Sequence, residues 1–168
     1  MRGRWEFGPI GRHHDRASFD CGEPVLNEYL KRYARQNQEQ DIGRTWVATA
    51  RGDSRVLGFY TLSAGAVAFE HLPESDRRRL PRYPVPVAHL GRLAVDVTAA
   101  GQRLGETLLM HALMQIERAS ATLAIQGIEV RAKGARARAF YARYGFVSLQ
   151  DDTHHLYLSI KLARRLFG

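Results

Sequence analysis

Three segments of the chain carry apolar residues at helical spacing. Residues 24–33 have them at positions 25, 26, 29, 30 and 33, and Pro24 suits the first turn of a helix. Residues 104–121 place leucine, alanine and isoleucine along one face, which is typical of an amphipathic helix. A third helix is predicted over residues 135–144. Shorter segments with a different pattern lie between these three.

Segments rich in β-branched and aromatic residues predict the strands of a sheet. Residues 44–50 and 55–67 predict a hairpin, joined by a turn at 51–54. Three further strands are predicted at 87–97, 125–132 and 154–162. Because strands and helices alternate in the second half of the chain, we expect the mixed α/β (α+β) class.

Residues 69–86 interrupt this order with four prolines and three consecutive arginines. Proline suits neither a helix interior nor a central strand, so these residues predict a surface excursion with at most a short helix. No change of composition marks a linker, and no internal repeat is present. We therefore expect a single domain over residues 1–168.

Composition limits the class of protein. The 168 residues are 45% hydrophobic, enough to bury a core without disulfides or metals. No apolar run approaches the roughly 20 residues that cross a bilayer, and the N-terminus lacks a secretory apolar segment, so a cytoplasmic protein is expected. The single cysteine, Cys21, excludes an internal disulfide framework. Histidine pairs at 13–14 and 154–155 lack a second ligand cluster, so no metal is predicted.

The charge of the chain is strongly basic. It has 25 lysines and arginines against 17 acidic residues, a formal net charge of +8, and only three of the basic residues are lysines. Because arginine binds phosphate bidentately, this excess favours a polyanionic partner, either nucleic acid or a phosphorylated cofactor. A genome that encodes arginine in place of lysine would produce the same composition. Composition alone leaves both explanations open.

A candidate phosphate-binding loop joins the strand predicted at 87–97 to the helix that follows. The unpaired N–H groups at a helix N-terminus attract phosphate, and Gly101 and Gly105 allow a close approach of the backbone. Gln102 and Arg103 add donors, and Glu106 is placed to cap the helix. The nucleotide-binding patterns G-x-x-x-x-G-K-[ST] and G-x-G-x-x-G are absent from the sequence. Glycines also join strands to helices in proteins without ligands, so the loop alone does not decide the function.

In its context this loop resembles the pyrophosphate loop of the GNAT N-acetyltransferases, whose pattern is [Q/R]-x-x-G-x-[G/A]. Residues 100–105 (AGQRLG) align with it. Two positions depart from the pattern, since Ala100 replaces glutamine or arginine and Arg103 replaces the first glycine. Arg103 still offers a backbone N–H and adds a cation beside the phosphates.

The resemblance extends along nearly the whole chain to the acetyltransferase toxins of bacterial toxin–antitoxin modules. The matching segments, in chain order, are residues 19–22 (FDCG), 26–30 (LNEYL), 44–47 (RTWV), 57–63 (LGFYTLS), 82–86 (RYPVP), 91–96 (GRLAVD) and 140–146 (FYARYGF). One departure is Arg131, where the group often has an acidic residue. The resemblance implies a GNAT fold, with a mixed, mostly antiparallel sheet flanked by helices, and acetyl-CoA as donor.

The resemblance also implies a reaction and its partners. The acceptor would be the α-amino group of an aminoacyl-tRNA, and its acetylation would block translation. A ribbon-helix-helix antitoxin would neutralise the enzyme, and a homodimer is expected. Two alternatives remain open at this point: a GNAT enzyme acting on a small amine or a protein N-terminus, and a non-catalytic RNA-binding module.

Site residues follow from the same resemblance. Tyr141 matches the general acid that protonates the leaving thiolate of coenzyme A, and Tyr144, one helical turn later, is the packing alternative. Asp96 is expected to be structural. The expected cofactor-binding residues are Leu93, Ala94 and Val95, which would hold the acetyl carbonyl and pantetheine arm, and the loop residues Gly101, Gln102, Arg103, Leu104, Gly105 and Glu106. The candidates for tRNA phosphate contacts are Arg77, Arg78, Arg79, Arg82, Arg92, Arg136 and Arg138.

Overall fold

The computed structural model describes residues 3–167. The strands in this range are β1 (Trp5–Pro9), β2 (Arg44–Ala50), β3 (Val56–Val67), β4 (Val85–Val95), β5 (Gly127–Arg131), β6 (Val147–Ser148) and β7 (His155–Ser159). The α-helices are α1 (Pro24–Glu28), α2 (Ala34–Glu39), α3 (Glu74–Arg77), α4 (Leu104–Ala119), α5 (Gly134–Ala142) and α6 (Ile160–Arg165). None of these helices combines the length and apolar character needed to cross a membrane.

The strands form one mixed sheet in the order β1-β2-β3-β4-β5-β7-β6. β1 with β2, β2 with β3, β5 with β7 and β6 with β7 are antiparallel pairs, whereas β4 and β5 run parallel. A parallel pair needs a long crossover connection, and α4 lies in that connection. The predicted mixed α/β class is confirmed.

The strongest periodic patterns are confirmed. The hairpin forms as β2 and β3, and the apolar face of α4 is buried throughout, at Leu104, Leu108, Leu109, Ala112, Leu113 and Ile116. Pro24 occupies the first turn of α1, as predicted. The helix predicted at 24–33 continues further, through a π-helical turn at Tyr29–Tyr33 into α2. The proline-rich excursion contains only the 3-10 turn Phe69–His71 and the four-residue α3.

Three elements were not predicted, and the last predicted strand is replaced by a helix over its final residues. β1, β6 and α6 are additional to the sequence-based elements. The strand predicted at 154–162 stops at Ser159, because the Ser159 side chain accepts a hydrogen bond from the Leu162 N–H at 3.3 Å and caps α6. Ile160 and Ala163 then face inward, at a spacing of three residues that fits a helix turn.

Contacts divide the chain into two compact units. The first contains the chain up to Ser63 together with Gly91–Ala112, and the second contains Ala64–Leu90 and the chain from Leu113 onwards. The boundaries fall inside β3, β4 and α4. The core of the first unit includes Phe19, Tyr29, Leu30, Val47 and Phe59. The core of the second includes Val67, Leu72, Val85, Leu149 and Tyr157.

In the first unit, the buried carboxylate of Asp96 joins three loops. Its Oδ1 accepts the N–H of Asp20 at 2.8 Å, and its Oδ2 accepts both the N–H and the hydroxyl of Thr98. Arg55 Nη2 lies 3.4 Å from the same Oδ2. Burial alone would raise the pKa of this carboxyl, but the donors and the guanidinium hold the pKa of Asp96 below its ordinary value. The predicted structural role of Asp96 therefore fits its contacts.

We expect Asp96→Asn to lower the free energy of unfolding by about 2–3 kcal/mol at pH 7, because the amide brings N–H donors against the N–H and O–H donors that the carboxylate accepts. Because the pKa of Asp96 is lowered in the folded state, its contribution is present above about pH 4 and is lost as the pH falls further. Urea unfolding of wild type and variant between pH 7 and pH 3 measures both effects.

Asp53→Asn is the matched control, because Asp53 is exposed and its carboxylate accepts only a local turn contact from the Arg55 N–H among the described residues. Its effect should stay within about 0.5 kcal/mol. Equal stabilities of wild type and Asp96→Asn at pH 7 would show that the Asp96 contacts contribute nothing to folding.

Candidate active site

The candidate phosphate-binding loop ends at the N-terminus of α4, in the first unit. The Thr107 N–H donates to the Arg103 carbonyl at 3.1 Å, which is the first bond of the helix. The N–H groups of Leu104, Gly105 and Glu106 therefore have no acceptor within α4. The helix is 16 residues long, so its dipole leaves a partial positive charge at this end. This end of α4 is suited to binding an anion.

Two residues of the loop adopt the left-handed backbone conformation. Gly101 has φ +77°, and a Cβ built there meets no heavy atom within 4 Å. Arg103, which stands where the GNAT pattern has glycine, has φ 64°. A residue with a Cβ in this conformation costs about 1–2 kcal/mol. The loop thus keeps the glycine-type backbone even though it carries arginine, and both Arg103 and Gln102 are exposed.

The start of α4 packs closely on β3. A Cβ at Gly58 would lie 2.8 Å from Leu108 Cδ1 and 3.2 Å from both Leu104 Cδ2 and the Ala94 carbonyl oxygen. Only glycine at position 58 permits this approach without a shift of the helix. Within the first unit the structure therefore brings the loop and the predicted acetyl-binding segment, Leu93 to Val95, against the same point of β3.

Arg92, a predicted tRNA contact, lies on an aromatic ring in the first unit. Its guanidinium carbon is 3.6 Å from the centroid of Tyr29, a buried tyrosine of the π-helical turn. This distance fits a cation–π contact, which positions the guanidinium plane. The side chain is half-buried, so it differs from the exposed arginines elsewhere in the candidate set.

Tyr141, the predicted general acid, lies near the end of α5 in the second unit. Its side chain is buried, with the rings of Phe140 and Phe146 packed edge-on at 5.1 and 5.4 Å. Burial raises the pKa of the Tyr141 phenol, because the charged tyrosinate is poorly solvated. The hydroxyl carries its proton at neutral pH, as an ordinary tyrosine does, and the raised pKa makes that proton harder to release. Tyr144 is only half-buried, and its ring packs on Phe140 at 5.5 Å.

The arginine triplet of the proline-rich excursion is paired with groups of its own segment. Arg78 Nη2 lies 2.9 Å from Glu74 Oε1, and Arg79 Nη2 lies 2.8 Å from Asp76 Oδ1. Arg77 donates to the Glu70 carbonyl at 3.4 Å. These contacts reduce the positive potential that the triplet presents. Arg82, Arg136 and Arg138 are exposed, and α5 contains no acidic residue to offset the last two.

The remaining candidates from the sequence have structural partners. The rings of His13 and His14 lie 4.0 Å apart, and His14 Nδ1 accepts the Gly11 N–H. The N–H of Cys21 donates to the Asn27 side chain at 2.9 Å, and burial raises the pKa of the thiol. Within residues 3–167 no cluster of three or more His, Cys, Asp or Glu side chains is arranged to hold a metal ion.

Sequence reasoning missed one group of titratable side chains in the second unit. His155 is buried and contacts Glu129 and Asp151, whereas His154 is partly exposed. Alternation along a strand predicts that only one of the two histidines faces inward. The acidic partners come from β5 and from the loop before β7, and no local sequence pattern joins them.

Comparison with known proteins agrees with this geometry. Residues 12–146 match the Acetyltransferase (GNAT) family. The chain belongs to this family. Acetyl-CoA is the acetyl donor of GNAT enzymes, so the chain is an acetyl-CoA-dependent acetyltransferase.

Relatives of this GNAT chain include toxins. A protein of Mycobacterium tuberculosis (strain ATCC 25618 / H37Rv) named tRNA-acetylating toxin is 42% identical over 154 residues, which are 92% of this chain and 91% of that protein. The structure of AtaT complexed with acetyl-methionyl-tRNAfMet is 30% identical, with a TM-score of 0.91 over 98% of this chain and 99% of that one. A tyrosine-to-phenylalanine mutant of the AtaT toxin, bound to the C-terminus of the antitoxin AtaR and acetyl-CoA, is 26% identical, with a TM-score of 0.83 over 99% of both chains.

The loop of this GNAT chain fits the pyrophosphate of acetyl-CoA. The open space beside Gly101 leaves room for a phosphate, and the first-turn N–H groups of α4 supply donors. Arg103 and Gln102 add exposed side-chain donors, although Gln102 also accepts from Arg4 at 3.4 Å. These residues would hold the phosphates, and acetyl-CoA supplies the activated acetyl group.

We expect Gly105→Asp to weaken acetyl-CoA binding at least tenfold. The carboxylate would stand among the first-turn N–H groups of α4 and repel the pyrophosphate there. Isothermal titration calorimetry measures the affinity directly. Ala121→Asp adds the same charge in the exposed turn after α4 and should leave the affinity unchanged. Equal affinities of Gly105→Asp and wild type would place the cofactor away from this loop.

Proposed function

We propose that this chain is a toxin that transfers the acetyl group of acetyl-CoA to the α-amino group of an aminoacyl-tRNA and so inhibits translation. The likeness to the tRNA-acetylating toxin along 92% of the chain carries this proposal. Residues 1–168 would act as one GNAT domain in the cytoplasm, where charged tRNA is found. A ribbon-helix-helix antitoxin would neutralise the toxin, and the active form would be a homodimer.

The residues present suit acetyl transfer to an α-amino group. An α-amino group has a pKa near 7.7–8.0, so a useful fraction is neutral at cytoplasmic pH and needs positioning more than a strong base. The backbone amides of Leu93, Ala94 and Val95 would hold the acetyl carbonyl as negative charge develops on its oxygen. Tyr141, whose phenol is protonated at cytoplasmic pH, would give its proton to the departing thiolate.

The basic surface supports a tRNA substrate. Helix α5 and the residues just before it carry Arg131, Lys133, Arg136 and Arg138, and residues 130–150 contain no acidic side chain. Among residues 3–167, Arg138 makes a long contact of 3.5 Å to the Ser148 hydroxyl and faces no carboxylate. Exposed arginines on a helix that has no acidic residue are suited to phosphate contacts. By the same argument, the paired triplet at 77–79 would contribute less to tRNA binding than α5.

One experiment tests the proposal against its two alternatives. The chain is incubated with radiolabelled acetyl-CoA and charged tRNA, uncharged tRNA or no tRNA, and label is counted on RNA and on added amines. Label on charged tRNA alone supports the proposal. Label on free amines or peptides without tRNA supports the other GNAT activity. RNA binding without any transfer would favour a binding module, which the family membership makes the least expected outcome.

We expect Tyr141→Phe to lower the rate of acetyl transfer by about 10²–10⁴-fold and to remove toxicity, because only the donating hydroxyl is lost. Acetyl-CoA affinity should stay within several-fold of wild type, since the ring packing is kept. Single-turnover transfer and calorimetry measure the two quantities. Tyr144→Phe removes a hydroxyl from the same helix end and should change the rate little. A Tyr141→Phe enzyme as fast as wild type would exclude Tyr141 from the proton transfer.

We expect the double variant Arg136→Ala, Arg138→Ala to weaken charged-tRNA acetylation and to reduce the salt dependence of kcat/KM. The slope of log kcat/KM against log salt should become shallower by about one to two between roughly 50 and 200 mM, as two phosphate contacts are lost. The matched pair Arg78→Ala, Arg79→Ala should change the slope by less, because both guanidinium groups already face carboxylates. Equal slopes in both double variants and in wild type would show that none of the four arginines contacts a tRNA phosphate.

A further inference from the structure

One guanidinium group of the first unit is held on an aromatic ring and has no carboxylate partner among residues 3–167. Arg92 is half-buried, and its guanidinium carbon lies 3.6 Å from the centroid of the Tyr29 ring. Four other arginines of this unit each face a carboxylate at 2.7 to 3.7 Å, namely Arg32, Arg35, Arg44 and Arg55. The N–H donors of Arg92 are therefore available to an anion from outside the chain.

Tyr29 is a fixed support for this guanidinium. Its side chain is buried, and its ring stacks on that of Phe59 in β3 with the centroids 6.4 Å apart. The Tyr29 hydroxyl accepts a hydrogen bond from the Asn37 side chain at 3.4 Å. The π-helical turn is also tied to the loop before α1, since Arg16 Nη1 donates to the Leu30 carbonyl at 3.2 Å. An arginine held on a fixed ring loses little further side-chain freedom when it binds an anion, so its fork of donors is preorganised.

The Arg92 guanidinium lies on the face of the sheet opposite α4. A Cβ at Gly58 would lie 2.8 Å from Leu108 of α4, whereas the next residue of β3, Phe59, stacks on Tyr29. Successive side chains of a strand point to opposite faces, so Tyr29 and the guanidinium that covers it lie on the face away from α4. The N-terminus of α4 is the helix end that suits the pyrophosphate of acetyl-CoA. Arg92 is therefore not placed with the phosphates of the acetyl donor.

Arg92 comes directly before the segment proposed to hold the acetyl carbonyl. Leu93 follows it in β4, within the same unit. In an aminoacyl-tRNA the α-amino group and the phosphate that precedes the 3′-terminal adenosine are separated by one amino acid and one ribose. Neighbouring Cα atoms are about 3.8 Å apart, so the Arg92 side chain starts close to the proposed reacting centre and can reach a phosphate at that separation.

We propose that Arg92 binds the phosphate that precedes the 3′-terminal adenosine of the charged tRNA, and that this contact places the α-amino group at the acetyl carbonyl. This role rests on the proposed function. A planar guanidinium can give two phosphate oxygens one hydrogen bond each, which fixes direction as well as distance. Phosphate contacts set the register of a bound nucleic acid, and at this phosphate the register sets the position of the amine. A free amino acid or small amine carries no such phosphate, so Arg92 selects an acceptor that is attached to a nucleotide.

The test removes the two partners of this contact separately and together. Charged tRNA is prepared with either the natural phosphodiester or a neutral methylphosphonate before the terminal adenosine, and kcat/KM for acetyl transfer is measured with wild type and with Arg92→Gln. We expect kcat/KM of wild type to fall about tenfold or more on the methylphosphonate, and Arg92→Gln to lose a similar factor on natural tRNA. In Arg92→Gln the methylphosphonate should cost less than about twofold, because the phosphate charge has already lost its partner.

Arg32→Gln is the matched control. Arg32 lies in the same π-helical turn as Tyr29, but it is exposed and faces Glu28 at 3.6 Å, so this variant should keep the full sensitivity to the methylphosphonate. The proposal would be overturned by a wild type insensitive to the methylphosphonate, by an Arg92→Gln variant as active as wild type on natural tRNA, or by two losses that simply multiply. A wild type that does not acetylate natural charged tRNA would instead contradict the proposed function itself, and this role with it.

Discussion

The buried carboxylate of Asp96 is the interaction on which the candidate phosphate site depends. Donors from three loops converge on it: the Asp20 N–H before α1, the N–H and hydroxyl of Thr98 in the turn that leads to α4, and the Arg55 guanidinium before β3. A buried carboxylate is tolerated only when its oxygens are satisfied, so these loops are held at fixed positions relative to the end of β4. The N-terminus of α4 then begins where Gly58 allows the helix to approach β3.

Burial raises the pKa of both kinds of acid in this enzyme, but their net pKa shifts run in opposite directions. The phenol of Tyr141 has only apolar ring neighbours among its described contacts, so nothing among them offsets burial and its pKa is raised. The carboxylates of Asp96 and Glu129 are also removed from water, but hydrogen bonds and nearby cations reverse the effect of burial and keep them charged. Hydrogen-bond partners and nearby cations, rather than the extent of burial, therefore decide which of these groups are protonated at neutral pH.

The basic character of the chain is unevenly distributed once the structure is considered. In the proline-rich excursion before β4, Arg78 and Arg79 each form an ion pair with a carboxylate three or four residues earlier in the chain. Such pairs cancel much of the local positive potential. On α5 the arginines have no acidic neighbours within the helix. The two arginines of α5 are therefore not offset within the helix that also carries Tyr141, which is an arrangement expected of an enzyme that acts on a polyanion.

The sequence by itself determined the hairpin, the amphipathic α4 and the loop before it, because these depend on local periodicity and on glycine at special positions. It also indicated Tyr141, through a motif contained in one helix end. Only the tertiary structure decided that Arg103 keeps a left-handed backbone, that the 77–79 triplet is paired, and that His89, Glu129, His155 and Asp151 meet. Those contacts join residues up to 40 positions apart, as for His89 and Glu129, or depend on side-chain direction, and a local pattern encodes neither.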